Sequence, residues 1–105
     1  MKSIHKKYLL KAHLLANDNF GKTFPNPSIG CLIVKNNKII SKAATASAGR
    51  PHAEEIALKK AGKKSLGSNM YVTLEPCNHE SYNGSCANQI IRSGIKNIYI
   101  ASYDP

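Results

Sequence analysis

Short β-rich runs interleaved with helical ones set the strongest limit on what this chain can fold into. Ile29–Val34 and Ile39–Ala43 read as strands, and Lys35-Asn36-Asn37-Lys38 between them reads as a turn, so the pair makes a hairpin. Pro51 suits the first turn of a helix, where a missing N–H costs nothing. That helix runs to about Ala61, with Gly62 as its stop. A β-rich run, Met70–Leu74, comes next, then a loop over Glu75–Ser85 and a helix over Ser85–Ser93 ending at Gly94. Ile95–Ala101 is the last strand. Ahead of all these, Ile4–Asp18 carries Leu9, Ala12, Leu15 and Ala16 near helical spacing. The order is helix, strand, strand, helix, strand, helix, strand. Strands that alternate with helices imply parallel neighbours joined by crossovers. The expected fold is therefore α/β: a three-layer α/β/α sandwich whose mixed sheet has an N-terminal hairpin at one end.

The chain has 105 residues, the size of one domain over 1–105, with no repeat, low-complexity segment or linker. Its 42% hydrophobic content allows a real core. No apolar run approaches the roughly 20 residues needed to cross a bilayer, so no membrane partner is expected. Met1–Phe20 is basic and then apolar, like a signal peptide. However, Lys11 and His13 interrupt Tyr8–Ala16 and no clean cleavage site follows, which favours an amphipathic helix of a cytoplasmic protein. A net charge of +9 favours an anionic partner such as a phosphorylated metabolite or RNA. The lysines are spread out with few aromatics among them, so most read as a solvated basic surface and nucleic acid is not the favoured partner.

The chemistry concentrates in His52-Ala53-Glu54, Pro76-Cys77 and Cys86. One imidazole, two thiols and a nearby carboxylate are the parts of a hydrolytic zinc site: three ligands, an open position for water, and an acid/base. Three cysteines cannot all pair as disulfides, and with no export signal metal binding is the better account of Cys77 and Cys86. Cys31, inside the apolar run, reads as a small buried hydrophobe. His52 and Glu54 fall at the start of one helix, Cys86 at the start of another, and Cys77 on the loop after a strand. In open α/β sheets such positions gather at the carboxyl ends of the strands. A helix N-terminus also favours the thiolate of Cys86. Taken alone, His-x-Glu is common by chance, and two cysteines nine positions apart differ from the familiar Cys-x-x-Cys spacing. A closed structural site with His79 as fourth ligand, or no metal at all, stays open on residue types.

The wider runs Pro25-Asn26-Pro27-Ser28-Ile29-Gly30-Cys31, Ala48-Gly49-Arg50-Pro51-His52-Ala53-Glu54 and Tyr71-Val72-Thr73-Leu74-Glu75-Pro76-Cys77-Asn78-His79 occur in that order. They resemble the deaminase domain of the bifunctional riboflavin-biosynthesis deaminase/reductases, in the cytidine-deaminase-like superfamily. The family pattern runs P-N-P-x-V-G-C, A-G-x-P-H-A-E and T-L-E-P-C-x-H, with a second cysteine nine positions after the first, as Cys86 is from Cys77. The resemblance implies zinc (Zn2+) held by His52, Cys77 and Cys86, with Glu54 as the catalytic proton shuttle. Asn26 and His79 match positions that contact the substrate. It also implies hydrolytic loss of ammonia from a diaminopyrimidinone carrying a ribosylamino 5′-phosphate.

Two departures stand out. Thr45 occupies the place of a substrate-contacting histidine, and Tyr82 the place of a basic residue between the cysteines, where a cation suits a phosphate. A catalytically impaired remnant that keeps the zinc fold is thus one alternative. An RNA or nucleoside deaminase is a weaker one, since the P-C-x-M-C-x-G-A pattern of the tRNA enzymes is absent. Relative to the family the chain is expected to lack the final strand and helix and the reductase domain. An exposed sheet edge would follow, with a homo-oligomer and a separate reductase as expected partners.

Overall fold

In the first strand, five consecutive residues from Gly30 to Val34 are buried, which accounts for its unbroken apolar run: both faces are covered. The computed structural model describes residues 2–18, 29–45, 53–73 and 86–100. They form α1 (Ser3–Asp18), β1 (Gly30–Lys35), β2 (Lys38–Ala44), α2 (Ala53–Ala61), a 3-10 turn (Gly62–Ser65), β3 (Asn69–Val72), α3 (Cys86–Ser93) and β4 (Asn97–Ile100).

Side chains alternate across the sheet and build two cores. Cys31 and Ile33 of β1 and Met70 and Val72 of β3 face one way, against Ala53, Ala57 and Ala61 of α2 and Ile90 of α3. Leu32, Val34 and Tyr71 face the other way, against Tyr8, Leu9 and Ala12 of α1. The three-layer α/β/α sandwich is therefore present. The alanine face of α2 lets that helix lie close to the sheet, and the Ser41 hydroxyl donates to the Ala57 carbonyl at 2.8 Å.

The sheet order is β2-β1-β3-β4. β1 is antiparallel to both β2 and β3, and only β3 and β4 are parallel neighbours. The expectation of parallel neighbours thus holds for the last pair and fails for β2 and β3. Those two strands run the same way, but β1 lies between them. The hairpin satisfies one edge of β1, and β3 takes the other.

The hairpin turn is of the two-residue kind that matches the strand twist. Asn36 and Asn37 have φ of 52° and 62°, a conformation asparagine tolerates better than most residues. Register shifts between Ile33 and Val34, so Ile40 is the extra residue of a bulge on β2. Gly62 has φ of 56° and stops α2 as its sequence position suggests, but a 3-10 turn follows that the sequence did not signal. The last strand starts at Asn97 and not at Ile95. Ile95 packs against the core, and the Lys96 N–H reaches the Ser68 carbonyl at 2.7 Å.

Candidate active site

Each crossover helix must return the chain from the carboxyl end of one strand to the start of the next. α2 leaves β2 and α3 leaves β3, so both helices begin at the same end of the sheet. Because β1 runs the opposite way, its first residue, Gly30, lies there too. Two threonine hydroxyls close this end. Thr45 Oγ1 accepts the Ile29 N–H and Thr73 Oγ1 accepts the Gly30 N–H, each at 3.1 Å. Backbone bonds from the Thr45 N–H to the Ile29 carbonyl (2.9 Å) and from the Thr73 N–H to the Gly30 carbonyl (3.2 Å) complete the clamp.

Glu54 is the charged group that α2 carries into this region. It is the second residue of the helix, where the dipole favours an acid, and Glu55 follows it. Its neighbour Ala53 is fully buried, and Glu54 itself is only 1% exposed. Its Oε1 has no hydrogen-bond partner among the described residues. Burial pushes the carboxyl above the usual carboxylate range; its own backbone N–H pulls it partly back, and the Glu55 charge raises it further. A buried carboxyl with an unsatisfied oxygen costs free energy, about 1–3 kcal/mol for a neutral group and more for a charged one. Such a group is retained where it has work to do on a proton or a ligand.

Cys86 is the first residue of α3, at the helix start where the sequence places it. Its side chain, like His52, Cys77, His79, Asn26 and Tyr82, lies outside the described residues. Among the described residues no three metal-binding side chains come together. Of the two departures, Thr45 is described: it is buried, and its hydroxyl bonds the backbone of Ile29. Thr73 is a site-end residue that the chemical reading passed over. Its signal was its place in Thr73-Leu74-Glu75-Pro76-Cys77, immediately after a strand.

A fold with a buried carboxyl at the start of one crossover helix and a cysteine at the start of the next defines a class, and sequence comparison agrees with it. The family described as "cytidine and deoxycytidylate deaminase zinc-binding region" matches residues 2–102, and the chain belongs to that family. Within it the chain is similar to riboflavin-pathway deaminases. It is 46% identical over 98 residues to the diaminohydroxyphosphoribosylamino-pyrimidine deaminase of Buchnera aphidicola subsp. Schizaphis graminum, covering 93% of this chain and 67% of that one. It is 45% identical over its whole length to the riboflavin biosynthesis protein RibD of Aquifex aeolicus, but spans 30% of that protein. Among solved structures, the deaminase/reductase of Thermotoga maritima superposes with a TM-score of 0.90 at 37% identity, over 98% of this chain and 30% of that one. The Rib2 deaminase of Aspergillus oryzae, in complex with DARIPP, gives 0.75 at 27% identity, over 97% and 73%.

Proposed function

We propose that this chain is a zinc-dependent deaminase domain that hydrolyses the amino group from a diaminopyrimidinone bearing a ribosylamino 5′-phosphate. The observation that carries the reading is Glu54: a buried carboxyl at the start of α2, two residues after His52, whose Oε1 has no partner among the described residues. The similarity to pyrimidine deaminases supplies the substrate class.

His52, Cys77 and Cys86 are the ligands in this reading. One imidazole and two thiolates suit zinc, and the unsatisfied Glu54 oxygen fits a group that addresses a ligand beside the metal. When bound, zinc lowers the pKa of a coordinated water from 15.7 toward roughly 7. Two thiolates weaken that effect by donating negative charge, so a neighbouring base matters. Glu54 accepts the proton released by the water, and burial, which favours its protonated form, makes it an effective carrier. It then delivers protons to the ring nitrogen and to the departing amine. Water is consumed, the C–N bond breaks, and the products are the oxo-pyrimidine and ammonia. Asn26 and His79 hold the pyrimidine. A reductase activity, such as the one that accompanies the deaminase in the Thermotoga maritima relative, is the natural consumer of the product, and a homo-oligomer is the proposed assembly.

Zinc-loaded protein incubated with the diaminopyrimidinone phosphate should release ammonia. Glu54→Gln should lower turnover by about 10²–10⁴-fold, the usual contribution of a general acid–base, while leaving zinc binding intact. The reading is wrong if bound zinc is demonstrated and no ammonia appears, or if the Gln variant turns over normally.

A further inference from the structure

The basic charge is not shared evenly along the chain. Residues 1–53 hold nine Lys and Arg and a single acid, Asp18, whereas residues 54–105 hold six Lys and Arg and five acids. Eight of the nine net charges therefore belong to the part that forms α1, β1 and β2. One phosphate on the proposed substrate accounts for only part of this excess, and of the proposed site residues only Asn26 and His52 lie in the basic part.

The same part carries an apolar cleft. It runs between α1 and the sheet face that α1 covers, and is lined by Lys11, Leu14, Leu15, Leu32, Ile39 and Lys42. Leu32 is its buried floor. Leu14 and Ile39 are its walls, 53% and 41% exposed although both are large aliphatic side chains. Lys11 and Lys42 stand on opposite sides, one on α1 and one on β2. Its volume is 180 Å³, somewhat above the roughly 150 Å³ that accommodates a benzene molecule in an engineered cavity. It therefore accepts one or two apolar side chains and leaves a cation on each side of them.

We propose that this cleft docks an acidic, amphipathic segment of a partner polypeptide, with leucine-like anchors in the cleft and carboxylates on Lys11 and Lys42. Charge selects this occupant over the others. A second copy of the chain docked through the same cleft would bring Lys11 and Lys42 against the same two cations, and like charges across an interface are repulsive. A single-stranded nucleic acid would want aromatic platforms for its bases, and none of the described residues that line the cleft is aromatic. A lipid surface is met by a projecting apolar face, whereas Leu14 and Ile39 border a recess. An apolar helix face laid in a groove, with complementary charge at the rim, is a recurring mode of peptide recognition. The proposal is independent of catalysis and of zinc.

The test is a methyl-detected NMR titration of the zinc-loaded protein with a synthetic helical peptide carrying leucines at i, i+3 and i+7 and glutamates elsewhere. The Leu14, Leu15 and Ile39 methyl signals should shift and saturate. Lys11→Glu with Lys42→Glu should weaken the affinity at least tenfold with unchanged melting temperature, since both side chains are exposed. Leu14→Ser should weaken it as well. Three results would overturn the proposal. The first is no methyl shift at about 1 mM peptide, the weakest affinity worth calling specific. The second is an equal shift with oligoglutamate, which would mean bare charge. The third is tighter binding of single-stranded RNA or anionic vesicles through the same methyls.

Discussion

Replacing Gly30 by alanine tests how tightly the fold is closed at the site end. A β-carbon there would sit 1.9 Å from the Ala12 carbonyl oxygen, 2.9 Å from the carbonyl carbon and 3.1 Å from the Ala16 nitrogen. All three atoms belong to the backbone of α1, so no rotamer change relieves the clash. Real β-carbons essentially never approach within 3.0 Å, so the α1 backbone must retreat by at least 1.1 Å, the difference between 3.0 and 1.9 Å. That retreat loosens the contacts of Tyr8, Leu9 and Ala12 with Leu32, Val34 and Tyr71. Overpacking of this kind costs typically about 1–3 kcal/mol, and occasionally more. For a domain of 60–100 residues each kcal/mol moves the melting temperature by about 4–8 °C. Thermal unfolding followed by circular dichroism should therefore show a drop of at least about 4 °C for Gly30→Ala. A variant that melts within a degree or two of the parent would refute the close crossing of α1 over β1 and the packing argument built on it.

Three further outcomes can be checked. Burial raises the Tyr71 phenol above its ordinary value of 10.0, so the folded state holds that proton longer than the unfolded chain does. Stability should thus be level below about pH 10, fall as pH rises from there through the raised value, and fall less steeply in Tyr71→Phe; denaturant melts across alkaline pH check the sign. The same variant loses the bond between the Tyr71 hydroxyl and His5 Nδ1 (2.6 Å), which should cost about 1 kcal/mol at neutral pH. Chelation of zinc should lower the melting temperature of the loaded protein, because metal binding free energy counts toward folding; an unchanged melt on full metal removal would argue against ligation by His52, Cys77 and Cys86.

The alternation of strand and helix, the asparagine turn and the stops at Gly62 and Gly94 were all legible because each has a local cause: pleat period, left-handed φ, or the end of an apolar stripe. The partner of β3 was not legible. Whether a crossover lands beside its starting strand or one strand further depends on which edge remains open, and no local pattern carries that information. The bulge at Ile40 and the 3-10 turn after α2 were invisible for a similar reason, since both adjust register between elements. At the site, Glu54 could be picked out by its distance in sequence from His52, but the lack of a partner for its Oε1 among the described residues is a property of packing. Thr45 was read through its place in a family pattern as a missing substrate contact. Its hydroxyl serves the backbone of Ile29, a role that depends on the pairing of β1 with β2.

The hairpin tip at Asn36 and Asn37 lies at the far end of β1 from Gly30, six residues or about 20 Å away. The Tyr8 hydroxyl ties it to α1, donating to the Asn37 carbonyl at 3.1 Å. This makes the tip a natural place to graft a fluorophore, an affinity handle or an inserted domain. Attachment there leaves the proposed site at the other end unobstructed. A graft that pulls on the tip would strain the α1 side of the sheet first, so an inserted sensor could report on that helix without blocking Glu54.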